Sequence, residues 1–408
     1  MAQTILYVDP FAAGHRTEHF AFYLRICAAL GLHIHACVPT TVWNIAMQQL
    51  GTPVPYAQHT AAEISSAAET LSRKIDFLSE TAARARRHSA DLIFFPTFDP
   101  FLLPMTAWLL TGNKFPISWS GVFFADCFSY LAEQIDWPKR FVKSLLKYAA
   151  MQIVLRSNIP ELLTLNKAWR TKTPVPVTWL PDSISSLDAV AAAKSGNGLW
   201  PVPQSPPNDS VRTRFLLFGA LQPRKGLTNI ATAFLGLTDA ELGKVAFHVL
   251  GKFDADGIYK SQVTALFAAL ARRGADVRLE DAYVDNDALD RAVTWCDVVL
   301  MPYQGHIGSS GVMNIAAQYG RPVIAQRRYQ LGEEVRKYDL GLSIDTSSTS
   351  EMVKAIRNTL AGGLAVTAGM RAFREERTPQ RAHDVVRDLL IRRLGLTPEK
   401  SEARDGMG

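Results

Sequence analysis

Short runs of Val, Ile, Leu and Phe alternate with longer stretches of helical period along most of the chain, and this alternation restricts the fold more than any other feature. Apolar runs with no polar alternate suit strands buried on both faces, as in parallel sheets whose crossovers are helices. In the first half the strand candidates are Thr4–Val8, His33–Val38, Asp91–Phe95, Phe115–Trp119, Gln152–Leu155 and Val175–Trp179. Helices are expected between them, over Thr17–Leu30, Ala61–His88 and Lys139–Ala150. Arg214–Gly219 restarts the pattern, which continues through Val245–Leu250, Asp276–Leu279, Asp297–Met301, Pro322–Ala325 and Gly341–Ile344. Its helices are expected near Gly226–Gly236, Ser261–Arg273, Asp287–Thr294, Gly311–Tyr319 and Ser350–Ala361. The class is α/β, with doubly wound, Rossmann-like parallel sheets.

A chain of 408 residues is long enough for two such domains. The first is expected over 1–190 and the second over 214–378. Between them 191–213 is rich in Pro, Ser, Asn and Gly without hydrophobic period and reads as a linker. An Arg-rich amphipathic helix over 379–396 and a polar end follow. With 48% apolar and 20% charged residues, both domains have ample core, and disordered, collagenous or coiled-coil classes are excluded. No run approaches the ~20 apolar residues of a membrane span, and the N-terminus reads as a buried first strand, not a signal peptide. Cys27, Cys37, Cys127 and Cys296 have no CxxC spacing, so neither a disulfide framework nor a zinc site is expected and a reducing cytoplasm fits. The net charge of +6 admits anionic partners. No nucleic-acid motif accompanies it, so no nucleic-acid partner is expected.

In open parallel sheets ligands bind beyond the C-terminal strand ends, where loops and helix N-termini converge. The first strand runs into DPFAAGHRTEHF, where Gly14 allows a sharp turn and His15 and Arg16 stand at a helix start. Free N–H groups there favour an anion or a polar acceptor, although a plain capped turn has the same pattern. FGALQPRKGL places Arg224 and Lys225 just ahead of a helix, a pair that suits a diphosphate through charge-assisted hydrogen bonds. A solvated basic turn is the alternative. Within Leu300–Ala325 a buried strand ends in Met-Pro-Tyr, and Gly308, Ser309, Ser310 and Gly311 then open a helix. Glycines there admit a phosphate close to the backbone and serines donate to it; a loosely capped structural helix is the competing reading.

These last two segments resemble the C-terminal domain of GT-B-fold glycosyltransferases, in particular glycosyltransferase family 4. PRKGL at Pro223–Leu227, PY at Pro302–Tyr303, SSG at Ser309–Gly311 and GRPVI at Gly320–Ile324 follow that family's pattern. VLGKF (Val249–Phe253), DAYVDNDAL (Asp281–Leu289) and GEEV (Gly332–Val335) sit where the family has its nucleotide-side elements. The resemblance covers 214–362, and over 1–185 it rests on strand order and the AGH turn. It implies a GT-B fold, two Rossmann-like domains facing across a cleft, with the acceptor side in the first domain and the final helix returning to it. By this resemblance Lys225 holds a donor diphosphate, helped by Arg224 and the backbone of Ser309, Ser310 and Gly311. The loop at Ala282, Tyr283 and Val284 flanks the nucleobase, and Glu333 or Glu334 faces the donor sugar or ribose. The chain departs from the family at Ala220, where an Arg is frequent, and at Ile307 and Ile315, where many members have glutamates. The neighbourhood FPTFDP lacks the family's frequent histidine and leaves Thr97 and Asp99.

The expected activity is transfer of a sugar from a nucleotide-diphosphate-sugar donor to a hydroxyl acceptor, with retention as the resemblance implies, in polysaccharide or glycolipid biosynthesis. The acceptor is a glycan, a lipid-linked molecule or a small molecule. His15, Asp99 and Asp126 are the catalytic candidates, Gly14 and Arg16 mark the acceptor side, and no metal or other cofactor is required. His33 and His35 alternate on a strand without a third ligand at matching spacing. The alternatives are a non-catalytic nucleotide-sugar or glycan-binding protein and a nucleotide-sugar epimerase on the same fold. Trp137–Tyr148 places Lys139, Arg140, Lys143 and Lys147 near one face. It reads either as an ordinary surface helix or as one lying on anionic lipid, at the inner membrane face.

Overall fold

Two sheets organise the chain, and the six strands of the second repeat the order of the first six strands of the first. The computed structural model describes residues 3–12, 16–51, 54, 56–64, 70–124, 126–134, 137–169, 172–182, 212–254, 257–362 and 364–396. The first sheet holds β1 (Thr4–Val8), β2 (His33–Val38), β3 (Ala57–Ala61), β4 (Leu92–Phe95), β5 (Trp119–Phe123), β6 (Leu162–Thr164) and β7 (Val177–Trp179). Its order is β3-β2-β1-β4-β5-β6-β7, with parallel pairing throughout. The second holds β8 (Thr213–Phe218), β9 (Val245–Leu250), β10 (Asp276–Glu280), β11 (Val298–Met301), β12 (Val323–Gln326) and β13 (Gly341–Ile344). Its order is β10-β9-β8-β11-β12-β13, also parallel. Chain direction across the sheet reverses between β1 and β4, and again between β8 and β11. Those are the two switch points at which loops diverge and leave a crevice.

The described part of 1–185 joins that of 379–408 in one compact unit, and that of 186–378 forms the other. Strand alternation explains the cores. Along β8, Phe215 and Leu217 enter the cluster on one face while Leu216 and Phe218 enter the cluster on the opposite face. Both faces are therefore covered, as the near-continuous apolar run requires. In the first unit, the helix Pro379–Leu394 adds Ala382, Val386, Leu389, Leu390 and Leu394 to a core built on Ile5, Tyr7, Phe20 and Leu24. Their spacing of three, four and seven puts all five on one stripe. On its polar side, Arg392 and Arg393 reach the buried Glu161 at 3.1 and 2.7 Å. Burial pushes that carboxyl up, but the Thr178 hydroxyl and the two guanidinium groups outweigh it and hold it below the ordinary value.

Several first-unit elements differ from expectation. Gln152–Leu155 is not a strand; it ends the helix Pro138–Val154, because Met151 and Val154 bury at helical spacing and nothing between breaks the helix. The strand of that region is the short β6, further on. Phe115–Trp119 gives way to β5, which starts at Trp119. Pro116 cannot donate to a central ladder, and Phe115 packs its ring 4.8 Å from Trp108 instead. The helix expected over Ala61–His88 begins at Leu71, capped by the Thr70 hydroxyl, and Ala57–Ala61 becomes the polar edge strand β3. Helices Thr40–Leu50 and Leu102–Leu110 add to those expected. Of the linker, 191–211 lies outside the described residues, and Thr213 already belongs to β8.

Candidate functional site

At the switch point of the second sheet, β8 leads through Gly219 into a single helical turn, Pro223–Lys225, and β11 leads through Pro302 to Tyr303. Gly226 lets these two loops touch. Its φ is +70°, and a Cβ there would lie 1.9 Å from the Pro302 carbonyl oxygen. The Gln304 N–H then donates to the Arg224 carbonyl at 2.8 Å. Its side-chain amide donates to the Pro302 and Thr346 carbonyls at 2.8 and 2.9 Å.

This scaffold aims Lys225 at Tyr303. The ammonium donates to the Tyr303 hydroxyl at 2.7 Å and lies 4.3 Å from the ring centroid. The same hydroxyl is 3.4 Å from Ser310 Oγ. Lys225, Tyr303 and Ser310 are 8%, 2% and 9% exposed. Among the described residues no carboxylate pairs with Lys225, so its charge is removed from water with only neutral oxygen and the ring's π face opposite it. A buried cation without a counter-charge is costly, and an anion at this place offsets that cost. Arg224 is exposed and its Nε donates to Gln222 at 2.7 Å. Ser310 is the N-cap of the helix Gly311–Gln318, with no side-chain cap bond. A Cβ on Gly311 would meet nothing within 4 Å, so the space in front of this helix start is open.

His306, in the same loop, donates its Nε2–H to the Ser309 carbonyl at 2.8 Å. Its pKa is driven down to about 4, first by burial and further by Arg224 and Lys225, against the pull of the Ser309 and Gly308 carbonyls. A neutral imidazole thus props the Ser309–Gly311 turn inside a positive field.

The other second-unit candidates stand apart. Tyr283 is 89% exposed, whereas Val284 packs against the core. Glu334 is buried and accepts from Arg377 at 2.7 Å and from Gln330 at 3.2 Å, so the structure places its carboxylate in an internal ion pair. Ile315 lies in the core. A cavity of about 550 Å³ opens elsewhere, over one face of β9 and β10, lined by His248, Arg278, Glu280, Arg291 and Trp295 among others. Neither Lys225 nor Tyr303 lines it.

At the first sheet's switch point, Arg16 opens the helix Arg16–Ala29 and bridges the ends of β1 and β4. Its Nη1 donates to Asp9 at 2.8 Å and to the Thr97 hydroxyl. Asp9 is 4% exposed. Burial raises its carboxyl to about 6 even though Arg16 pulls the other way. Gly14 and His15 lie outside the described residues. Asp99 accepts from the Phe124 N–H at 2.8 Å, tying the loop after β4 to the end of β5. Asp126, 1% exposed, takes the N–H groups of Phe128 and Ser129, the Ser129 hydroxyl and the Asn166 amide. Those donors lock the loop after β5 to that after β6. Asp9 and Tyr303 were not among the sequence candidates. One is a single acid at a strand end and the other reads as a core aromatic; only the pairing of β1 with β4 and of β8 with β11 exposes their positions.

Residues 212–362, which hold the whole Lys225 cluster, match the family described as Glycosyl transferases group 1. The second unit contains a group 1 glycosyltransferase domain. Domains of that family imply glycosyl transfer from a nucleotide sugar. Solved structures extend the likeness to the whole chain at the level of fold. A sucrose-phosphate synthase from Thermosynechococcus elongatus superposes with a TM-score of 0.64 at 16% identity, covering 96% of this chain and 99% of that one. A trehalose-6-phosphate synthase gives 0.62 at 9% identity, over 95% and 99%. A UDP-GlcNAc 2-epimerase from Neisseria meningitidis, bound to UDP-GlcNAc, gives 0.60 at 11%, over 96% and 100%. The fold of the chain is therefore GT-B, with one Rossmann-like sheet in each unit. Comparison of its sequence with curated proteins yields no match. Among the described residues, no helix is long and apolar enough to cross a membrane.

Proposed function

We propose that the protein transfers a sugar, with retention, from a nucleoside-diphosphate sugar to a hydroxyl acceptor, and that the Lys225–Tyr303–Ser310 cluster holds the diphosphate. The observation that carries this reading is a buried lysine with no carboxylate beside a helix start open to space. As the glycosidic bond breaks, negative charge grows on the leaving diphosphate. An ammonium, an exposed guanidinium at Arg224 and the N–H groups at Gly311 stabilise that charge without reorganising. Tyr303 keeps its own O–H proton for Ser310 or for the ligand while it accepts from Lys225. No step in this account calls on a metal or another cofactor.

The acceptor side belongs to the first unit. Arg16, at the start of the helix that follows β1, marks that side through its bonds to Asp9 and Thr97, and Gly14 and His15 are assigned to it from the sequence. Asp9 is the acid there whose proton exchanges near neutrality, whereas Asp99 and Asp126 accept from chain donors and serve the loops. Tyr283 and Val284 flank the base in this proposal, and Glu334 supports the domain through Arg377.

Ile307 and Ile315, in place of carboxylates, support a second reading as a nucleotide-sugar-binding protein or epimerase. Incubation with UDP, GDP, dTDP, ADP and CDP sugars separates these. A transferase releases nucleoside diphosphate faster when acceptor is added, an epimerase converts the donor alone, and a binding protein leaves it intact. In the transferase, replacing Lys225 and Arg224 together by Met abolishes most of the release. Release unchanged in that variant overturns the assignment.

A further inference from the structure

The helix Pro138–Val154 of the first unit buries only its second half well: Ala150, Met151 and Val154 face the interior, with Ser144 ahead of them. Its first half turns Val142, Leu145 and Leu146 to solvent at 53%, 47% and 61% exposure, and Trp137 just before it is 39% exposed. Val142 lies three and four residues from Leu145 and Leu146, so these three form one stripe, with Trp137 at the helix start beside it. The neighbouring helix Leu102–Leu110 is tied to it by Thr106 Oγ1, 3.3 Å from the Ala150 carbonyl. It exposes Leu103 and Leu110, seven residues apart and so on one side. These six account for half of the twelve large apolar side chains exposed among the described residues. Isolated exposed leucines are ordinary, whereas their concentration on two adjoining helices marks a surface that meets something.

Charge identifies what it meets. The helix carries Lys139, Arg140, Lys143 and Lys147 and no acid, and the helix Leu102–Leu110 carries no ionisable residue. Among the described residues none of the four cations has a carboxylate partner, and Arg140 lies 4.0 Å over the Trp137 ring. A protein partner is most readily met by an apolar stripe with mixed charges around it. Cations beside leucines, with a tryptophan at the margin, match the layered chemistry of an anionic bilayer, with phosphates outermost and hydrocarbon beneath. The chain reaches this helix from the C-terminal end of β5, and Asp9, Arg16 and Thr97 likewise follow the C-terminal ends of the parallel strands β1 and β4.

We infer that this face docks the first unit on an anionic phospholipid surface, with Val142, Leu145 and Leu146 entering the interface and the four cations meeting lipid phosphates. The inference stands on exposure and charge and is independent of the transferase reading. Flotation of the full-length protein with phosphatidylcholine vesicles, with and without phosphatidylglycerol, tests it. The expected result is flotation only with phosphatidylglycerol, lost in high salt. Lys139→Glu with Lys143→Glu weakens partitioning by about tenfold or more, and Leu145→Ser with Leu146→Ser weakens it even in low salt. Because all four side chains are exposed, both double variants keep the wild-type melting temperature, which excludes misfolding as the cause. Wild-type protein that stays unbound to phosphatidylglycerol vesicles, or binding indifferent to both double variants, overturns the inference. A dimer in sedimentation that Leu145→Ser with Leu146→Ser dissolves, without vesicle binding, overturns it in favour of self-association.

Discussion

The Lys225 ammonium sits 2.7 Å from the Tyr303 hydroxyl, and through it the loop after β8 is joined to the loop after β11. The contact orients a cation but leaves its charge unneutralised. A group arranged in this way serves a ligand at the expense of the empty protein's stability. Lys225→Met, which keeps the length and removes the charge, is therefore expected to melt at the same temperature as the wild type or higher when no ligand is present. With a saturating nucleoside diphosphate the order reverses. Thermal unfolding in both conditions checks this; a variant destabilised in both would make Lys225 a structural residue.

Gly226→Ala should disrupt the same junction by a different route. An L-residue at φ +70° costs about 1–2 kcal/mol, and the new Cβ has a carbonyl oxygen 1.9 Å away. The expected outcome is a fall of several degrees in melting temperature together with loss of nucleotide binding. Binding retained at wild-type strength would show that the Pro302 loop can retreat without consequence.

Asp9 yields a pH prediction with a definite sign. Its folded-state carboxyl titrates near 6, above its unfolded value, so the folded form holds the proton more tightly. Stability from this group is present at low pH and is lost as pH rises through about 6; a shift of that size corresponds to about 3 kcal/mol. The stability difference between Asp9→Asn and wild type is expected to move in the variant's favour between pH 4 and pH 7. Urea titrations across that range measure it, and a difference that stays flat contradicts a buried, proton-holding Asp9.

Asp9 and Tyr303 are hard to single out from the sequence, and the reason is physical. Second-domain strands stand out because each is an unbroken apolar run set off by helical period, and Arg224, Lys225 and Ser309–Gly311 are chemically distinctive in sequence. Asp9 is one acid among many until β1 and β4 are known to be neighbours. Tyr303 looks like a core aromatic because it is one, and only its hydroxyl belongs to the site. Asp126 shows the converse: an acid in a polar loop attracts attention, yet the donors of Phe128, Ser129 and Asn166 surround it. The run ending in Val154 has strand composition, and tertiary packing decides it as helix. Local composition registers residue types, whereas sites at switch points depend on pairings distant in sequence.

His306 reports the field at the site. Held neutral down to about pH 4 partly by Arg224 and Lys225, it should titrate at higher pH once a bound diphosphate offsets those charges. Imidazole resonances followed by NMR, with and without a nucleoside diphosphate, check this. A His306 pKa that ignores the ligand would put the anion elsewhere.

Whether Lys225 holds a diphosphate is decided by calorimetric titration of the wild type and Lys225→Met with UDP, GDP, ADP, dTDP and CDP. One diphosphate is expected to bind selectively, and the variant to bind it ten- to a hundredfold more weakly, since a charged hydrogen bond contributes about 1.5–3 kcal/mol. Equal affinity in both proteins, or no binding of any of the five to the wild type, would contradict that role for Lys225.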